Sequence, residues 1–116
     1  MYETINRDVL IIKLKQPFLD WVNYIFPEKP ITIDNLGKHD SANVYLIPQL
    51  DSTEESLAFL KQNFTPFLEE ELVGWCEDDD QWPKKRDWKL FEEWLEYEIH
   101  SMVTDMDEGP IIKEEF

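Results

Sequence analysis

The residues with the most distinctive chemistry form an acidic run, Glu77 to Asp80, between Trp75 and Trp82. Clustered carboxylates are the ligands that hard cations such as Ca²⁺ prefer. The run lacks the alternating ligands, the central glycine and the distant glutamate of a calcium-binding EF-hand loop. A run of three bases, Lys84 to Arg86, follows it and compensates part of the charge. The spacing therefore favours a solvated loop over a specific cation site.

The same loop carries the residue types of a protein-binding surface. Tryptophan is enriched at the energetic centres of interfaces, and loops carry recognition more often than packed elements do. Trp88 and Trp94 lie at core spacing, so the loop tryptophans are the better candidates for exposure. The predicted partner-binding residues are Trp75, Asp78, Asp79, Asp80 and Trp82. The alternative interpretation is that Trp82 only fixes the loop onto the core and that the acids keep it hydrated.

A second polar candidate is the pair Glu96 and His100, four residues apart in a segment with helical spacing. On a helix these side chains are neighbours, and a histidine beside a carboxylate resembles half of a metal or acid–base site. An ion pair at a helix C-terminus is the simpler interpretation. The sequence contains no zinc-ligand spacing and no glycine-rich phosphate loop. It therefore identifies no catalytic residues, no metal site and no cofactor.

Charge restricts the possible partners. The 116 residues include 26 acids and 11 bases, for a formal net charge of −15. Such a surface repels nucleic-acid phosphates and anionic lipids, so we expect no direct nucleic-acid or membrane binding. A non-enzymatic interaction module for a basic protein partner fits best, and an inhibitor or immunity-type protein that masks a basic active site is one form. The alternative is a small enzyme or cation-binding protein that uses His100 with nearby carboxylates.

Cellular location and domain organisation follow from length and from what the chain lacks. A lone cysteine, Cys76, is ordinary in a reducing compartment. The start of the chain has no signal-peptide pattern, and the longest apolar run, Val9 to Ile12, is far shorter than the roughly 20 residues of a membrane span. We predict a cytoplasmic protein with one globular domain, residues 1–108, and an acidic flexible tail, residues 109–116.

The predicted elements alternate between strands and helices. The apolar, β-branched run at 8–14 predicts a strand buried on both faces, and 43–47 predicts a second. Their connection is long enough for a crossover and parallel pairing. Residues 101–106 fit either an edge strand or a last helical turn. The predicted fold is α/β or α+β, with a small three-stranded sheet covered by helices.

Three local signals predict helix starts. Pro17 opens the first helix, and Ser52 with Glu55 forms a capping box that starts the second. A restart is predicted near Pro66. Asp87 caps the last helix, whose main stripe is Trp88, Phe91, Leu95 and Ile99. The residues expected in the core are Ile11, Ile12, Trp21, Leu46, Phe64, Phe91 and Leu95.

Several strings stand out when they are taken together. They are KQPFLDW at 15–21, VYLIP at 44–48, ELVGW at 71–75, WP at 82–83 and FEEWLEYEIHSMV at 91–103. As a set they resemble a family of small bacterial cytoplasmic proteins, over about residues 8–106. The segment 76–81 matches least well. The resemblance implies a bacterial, soluble, single-domain protein. Because the function of that family is not established, it implies no activity, ligand or catalytic residue.

Overall fold

The central element is strand β2 (Arg7–Leu14) in the computed structural model, which describes residues 2–37 and 41–114. It pairs antiparallel with β3 (Ala42–Pro48) on one side and with β4 (Leu95–His100) on the other. The small α+β fold is thus confirmed, with a three-stranded antiparallel sheet in the order β3-β2-β4. A separate pair joins β1 (Glu3–Thr4) to β5 (Thr104–Asp105).

The expected parallel pairing of the first two long strands is wrong. After β2 the chain forms helix α1 (Gln16–Ile25), and the described residues that follow it, 26–37, form no strand. The chain comes back to the end of β2 that it had left, where the Leu14 N–H donates to the Ser41 carbonyl at 3.4 Å. A strand that re-enters at that end runs antiparallel to its neighbour.

Strand β2 is buried on one face, so the expectation of two buried faces is also wrong. Val9 and Ile11 are half-exposed, because the helices cover only the opposite face. The same alternation leaves Leu46 of β3 51% exposed, although it was expected in the core, while its neighbour Ile47 is buried. The buried residues of β2 are Asp8, Leu10, Ile12 and Leu14.

The last predicted helix is shorter than expected, because α4 (Trp88–Trp94) is followed at once by β4. Leu95 and Ile99 match both periods: helical spacing from Phe91 and the alternation of a strand. Pairing with β2 decides between them, since it satisfies backbone groups on the side of β2 that β3 leaves open. Of residues 101–106, Thr104–Asp105 form the short strand β5.

The helix starts are as predicted. The Ser52 hydroxyl accepts a hydrogen bond from the Glu55 N–H at 3.1 Å at the start of α2 (Thr53–Gln62). Helix α3 (Phe64–Val73) restarts after a break, with Pro66 in its first turn, where a missing N–H is tolerated. The Asp87 carboxylate caps α4 by accepting from the Leu90 N–H at 2.9 Å.

The core lies between the inner face of the sheet and the helices. Of the residues expected there, Ile12, Phe91 and Leu95 are buried, and Ile11, Trp21 and Phe64 are half-buried. The other large buried side chains include Phe18, Leu19, Leu60, Leu68 and Leu72. No helix in the described parts of the chain combines the length and the apolarity that a membrane crossing requires.

Candidate interaction surface

The loop between α3 and α4 has a defined shape, because its own side chains close it. The Trp82 indole N–H donates to the Cys76 carbonyl at 2.8 Å. A second indole, that of Trp21 on α1, donates to the Gln81 carbonyl at 2.9 Å and ties the loop to the helix. The Arg86 guanidinium lies 5.7 Å from the centre of the Trp82 ring. The Trp21 hydrogen bond thus holds the loop against α1, and the other two contacts lie within the loop.

A solvent-open groove of about 510 Å³ lies between this loop and α1, and we call it the aromatic groove. Its apolar walls are Pro17, Trp21, Tyr24, Trp82, Pro83 and Trp94. Phe18 supports it from the core, because its ring packs edge-on against Trp21 at 5.4 Å and Trp94 at 5.8 Å between ring centroids. Tyr24 is 85% exposed. The groove therefore presents aromatic surface to solvent on a supported floor.

Acidic side chains accompany the groove. Asp20 lines it, and the basic residue described beside it is Arg86, which lies over the Trp82 ring. The turn Asp79–Gln81 leads directly into the groove wall, and Asp78, Asp79 and Asp80 are all exposed. Their carboxylates approach one another within 4.8 Å. A cationic group that approaches the groove consequently meets negative charge at its edge.

The predicted partner-binding residues are only partly brought together. Trp82 lines the aromatic groove, whereas Trp75 lines a separate pocket of about 300 Å³ with Val22, Phe26 and Ile31 on another side of α1. Sequence reasoning missed Trp21 and Tyr24 as groove residues, and it assigned Trp94 to the core. The available signal was their spacing: residues three apart on a helix share a face.

The alternative polar site does not assemble as expected. Glu96 and His100 lie on strand β4 rather than on a helix, and four strand residues span about 13 Å. The predicted helical contact is therefore wrong. The His100 Nε2 lies instead 3.9 Å from a carboxylate oxygen of Glu98, which also lies 3.6 Å from the Lys13 ammonium. These exposed pairs sit on the uncovered face of the sheet.

A buried carboxylate that the sequence analysis did not single out, Glu71 of α3, faces β3. It accepts hydrogen bonds from the Asn43 amide at 2.9 and 3.1 Å and from the Tyr45 hydroxyl. Burial raises the pKa of the Glu71 carboxyl above its ordinary value, and these hydrogen bonds oppose part of that shift. Burial, and then the bond to Glu71, also raise the pKa of the Tyr45 hydroxyl. The cluster joins α3 to the sheet.

Comparisons of the chain with protein-family models, with curated proteins and with solved structures found no significant match. The resemblance to a family of small bacterial proteins and the cytoplasmic location stay predictions, as do the domain boundary at 108 and the flexible tail.

Proposed function

We propose that this protein is a non-enzymatic interaction module that binds a basic protein partner through the aromatic groove. The observation that carries the proposal is a solvent-open groove walled by Trp21, Tyr24, Trp82 and Trp94 on a chain of net charge −15. Aromatic rings supply the energetic centres of many interfaces. The negative charge at the edge speeds encounter with a positively charged partner.

The chemistry of the groove narrows the kind of segment that fits. Flat rings and prolines line it, and such surfaces suit extended segments that carry proline or other apolar residues. A guanidinium group stacks well on indole faces, as Arg86 already does on Trp82. The favoured partner segment is therefore extended and places an arginine or lysine beside an apolar residue.

An enzyme or cation-binding protein centred on Glu96 and His100 has less support. Acid–base catalysis needs its groups within hydrogen-bond reach of one substrate, and about 13 Å of strand separates these two positions. Both side chains are exposed, and His100 pairs with Glu98 instead.

Selection of a random displayed peptide library on the immobilised chain tests the aromatic groove. Retained peptides should be enriched in arginine or lysine next to proline or aromatic residues. Tyr24→Ala should weaken their binding at least tenfold without changing the melting temperature, because Tyr24 is 85% exposed. Tyr2→Ala is the matched control, since Tyr2 is also exposed and lies outside the groove. Equal retention by both variants would exclude the groove as the binding surface.

The acidic edge is tested by association kinetics with a peptide from that selection. Replacing Asp78, Asp79 and Asp80 with asparagine should slow association and flatten its dependence on salt, because the acids act before contact. The matched control removes three charges at exposed positions that do not line the groove: Asp34→Asn, Glu54→Gln and Glu114→Gln. If both triple variants slow association equally, total charge rather than the loop governs encounter.

A further inference from the structure

Asp8 places a carboxylate on the buried face of β2, where the other side chains are apolar. It shares the inner face of β2 with Leu10 and Ile12 and is only 3% exposed. Its Oδ1 atom has no hydrogen-bond partner among the described residues. Its Oδ2 accepts from the Ser56 hydroxyl at 3.5 Å, which is long for such a bond. A buried carboxylate oxygen without a partner is costly, and a bound ligand is one group that would offset this cost.

Asp8 lies in the wall of a polar pocket of about 380 Å³. The pocket opens where β2 begins, β4 ends and α2 begins. Among its other lining residues are Asp51, Ser52, Ser56, His100 and Ser101. Among the described residues that line it there is no lysine or arginine, so Asp8, Asp51 and the serine hydroxyls are its main acceptors. That inventory suits a positively charged ligand with several hydrogen-bond donors.

The pocket favours an organic cation over a metal ion. A hard metal ion needs several oxygen ligands converging on one point. Among the described residues, the carboxylates Asp78, Asp79 and Asp80 are the one group of three potential ligands within 4.8 Å of one another. Asp8 and Asp51 belong to no such group, although they share a pocket of about 380 Å³.

The N-terminus of α2 borders the pocket, and an unmodified helix N-terminus would favour an anion. Here the chain offsets that preference itself. The Ser52 hydroxyl accepts from the Glu55 N–H, and a Glu55 carboxylate oxygen accepts from the Asp51 N–H at 3.0 Å. Glu54 and Glu55 place two acids in the first turn. Carboxylates of the chain itself thus offset the positive end of the helix, and these carboxylates would repel an anionic ligand.

We propose that this pocket binds a primary ammonium or guanidinium group, with Asp8 as its counter-ion and the hydroxyls of Ser52 and Ser56 as further acceptors. The cation can belong to a free small amine or to a lysine or arginine side chain of a partner. The site is independent of the aromatic groove. Asp8 and Leu14 lie near opposite ends of β2, about 20 Å apart, and α1 with the groove follows the Leu14 end.

Titration of the full chain with n-butylammonium chloride and n-butylguanidinium chloride, followed by amide NMR, tests the proposal. We expect saturable shifts at Asp8, Ser56 and Ser101, and a higher melting temperature at saturation. Sodium chloride at equal ionic strength and neutral n-butanol should produce neither. Asp8→Asn should weaken amine binding at least tenfold. Asp34→Asn, which removes one exposed charge outside the pocket, should change it less than twofold.

Two peptides distinguish the sources of the cation: acetyl-Gly-Lys-Gly-amide and its norleucine analogue, which lacks the charge. Tighter binding of the lysine peptide than of n-butylammonium assigns the site to a partner side chain, and the reverse order assigns it to a small amine. Ser56→Ala supplies a second pocket variant and should also weaken binding. Tyr24→Ala should leave amine binding unchanged, so the two proposals fail separately.

Four results would each overturn the proposal. They are shifts that do not saturate, equal shifts with sodium chloride, unchanged binding by a folded Asp8→Asn variant, and binding of Mg²⁺ or Ca²⁺ at these residues in place of the amines. The melting temperature of each variant is measured first, so that a loss of binding is compared only between folded proteins.

Discussion

Two carboxylates, Asp8 and Glu71, are buried to the same extent in this molecule, each 3% exposed, but their surroundings differ. Glu71 of α3 accepts hydrogen bonds from the Asn43 amide and the Tyr45 hydroxyl of β3. Asp8 of β2 has one long contact, to Ser56, and an oxygen with no partner among the described residues. Neighbouring side chains donate hydrogen bonds to the Glu71 carboxylate, whereas one oxygen of the Asp8 carboxylate receives none from the described residues.

Burial alone therefore does not distinguish a carboxylate with internal hydrogen-bond partners from one that lacks them. The bonds to Glu71 are internal and join a helix to the sheet, which is a structural role. Asp8 is instead one of the residues that line a polar pocket, where the proposed ammonium ligand would supply the missing partner. In the composition of the chain, both residues count only as two of its 26 acidic residues. Their roles separate only when the hydrogen-bond partners are counted.

The largest effect that sharpens this contrast is expected for Tyr45→Phe. Removing the hydroxyl deprives a buried carboxylate of one donor, and a hydrogen bond to a charged group contributes about 1.5–3 kcal/mol. The free energy of unfolding in urea should fall by about that amount at neutral pH. Tyr97→Phe is the control, because the Tyr97 hydroxyl has no hydrogen-bond partner in the described part of the chain, and its change should stay within about 0.5 kcal/mol. Equal losses in both variants would contradict a structural role for the Glu71 cluster.

In contrast to Tyr45→Phe, Asp8→Asn should raise the free energy of unfolding. A neutral amide is less costly to bury without partners than a carboxylate, so the free energy of unfolding should rise by about 1–2 kcal/mol in the absence of amines. Urea unfolding at neutral pH measures it. Saturating n-butylammonium should reduce the difference in unfolding free energy between Asp8→Asn and the wild type, because it stabilises the wild-type chain and not the variant. A large loss of stability in Asp8→Asn would show that the Asp8 carboxylate already has a partner in the folded chain.

The pH dependence of the unfolding free energy distinguishes Glu71 from a carboxylate whose pKa is lowered by folding. Because the folded chain raises the pKa of Glu71, the native state binds its proton more readily than the unfolded state. The contribution of Glu71 to stability is therefore fully present below its unfolded pKa of 4.5 and is lost as the pH rises through the folded pKa. The free energy of unfolding of the wild type relative to Glu71→Gln should decline over that window.

Asp87, which caps α4, provides a control whose effect on stability should change with pH in the opposite direction. The hydrogen bond from the Leu90 N–H lowers the pKa of the Asp87 carboxyl, and Lys85 adds to the shift. Its contribution is present above the unfolded pKa and is lost as the pH falls through the folded value. The stability of the wild type relative to Asp87→Asn should accordingly decline on acidification. Parallel trends in the two pairs would contradict the assignment for Glu71.

The smallest effect is expected for Ser56→Ala. Its hydroxyl lies 3.5 Å from Asp8, so the lost contact should change the free energy of unfolding by about 0.5 kcal/mol, at the low end for a hydrogen bond. Ser52→Ala removes the helix cap at the same pocket and should cost about 1 kcal/mol. Thermal unfolding of both variants gives the comparison. A larger loss at Ser56 than at Ser52 would mean that Asp8 depends on the Ser56 hydroxyl.

Local signals in the sequence located the helix starts, because each depends on residues close in the chain. Ser52 with Glu55, and Asp87, bond to backbone N–H groups within the first turn of their helices, and Pro17 fits the first turn of α1 through its own ring geometry. The alternation in β2 was also present in the sequence, and it places Asp8 on the same face as Leu10. Read strictly with a period of two, it would have identified the buried acid.

The strand pairing and the walls of the aromatic groove depend on groups far apart in the chain. Leu95 to His100 satisfy both helical and strand periods, and pairing with β2, more than 80 residues earlier, selects the strand. Trp21 and Gln81 are 60 positions apart, yet their hydrogen bond builds the aromatic groove. Periodicity and capping report interactions within a few residues, whereas strand pairing and pocket walls depend on which distant surfaces meet. Patterns within the sequence therefore predict the fold class and the helix starts, whereas contacts between distant elements set the strand order, the groove and the surroundings of Asp8.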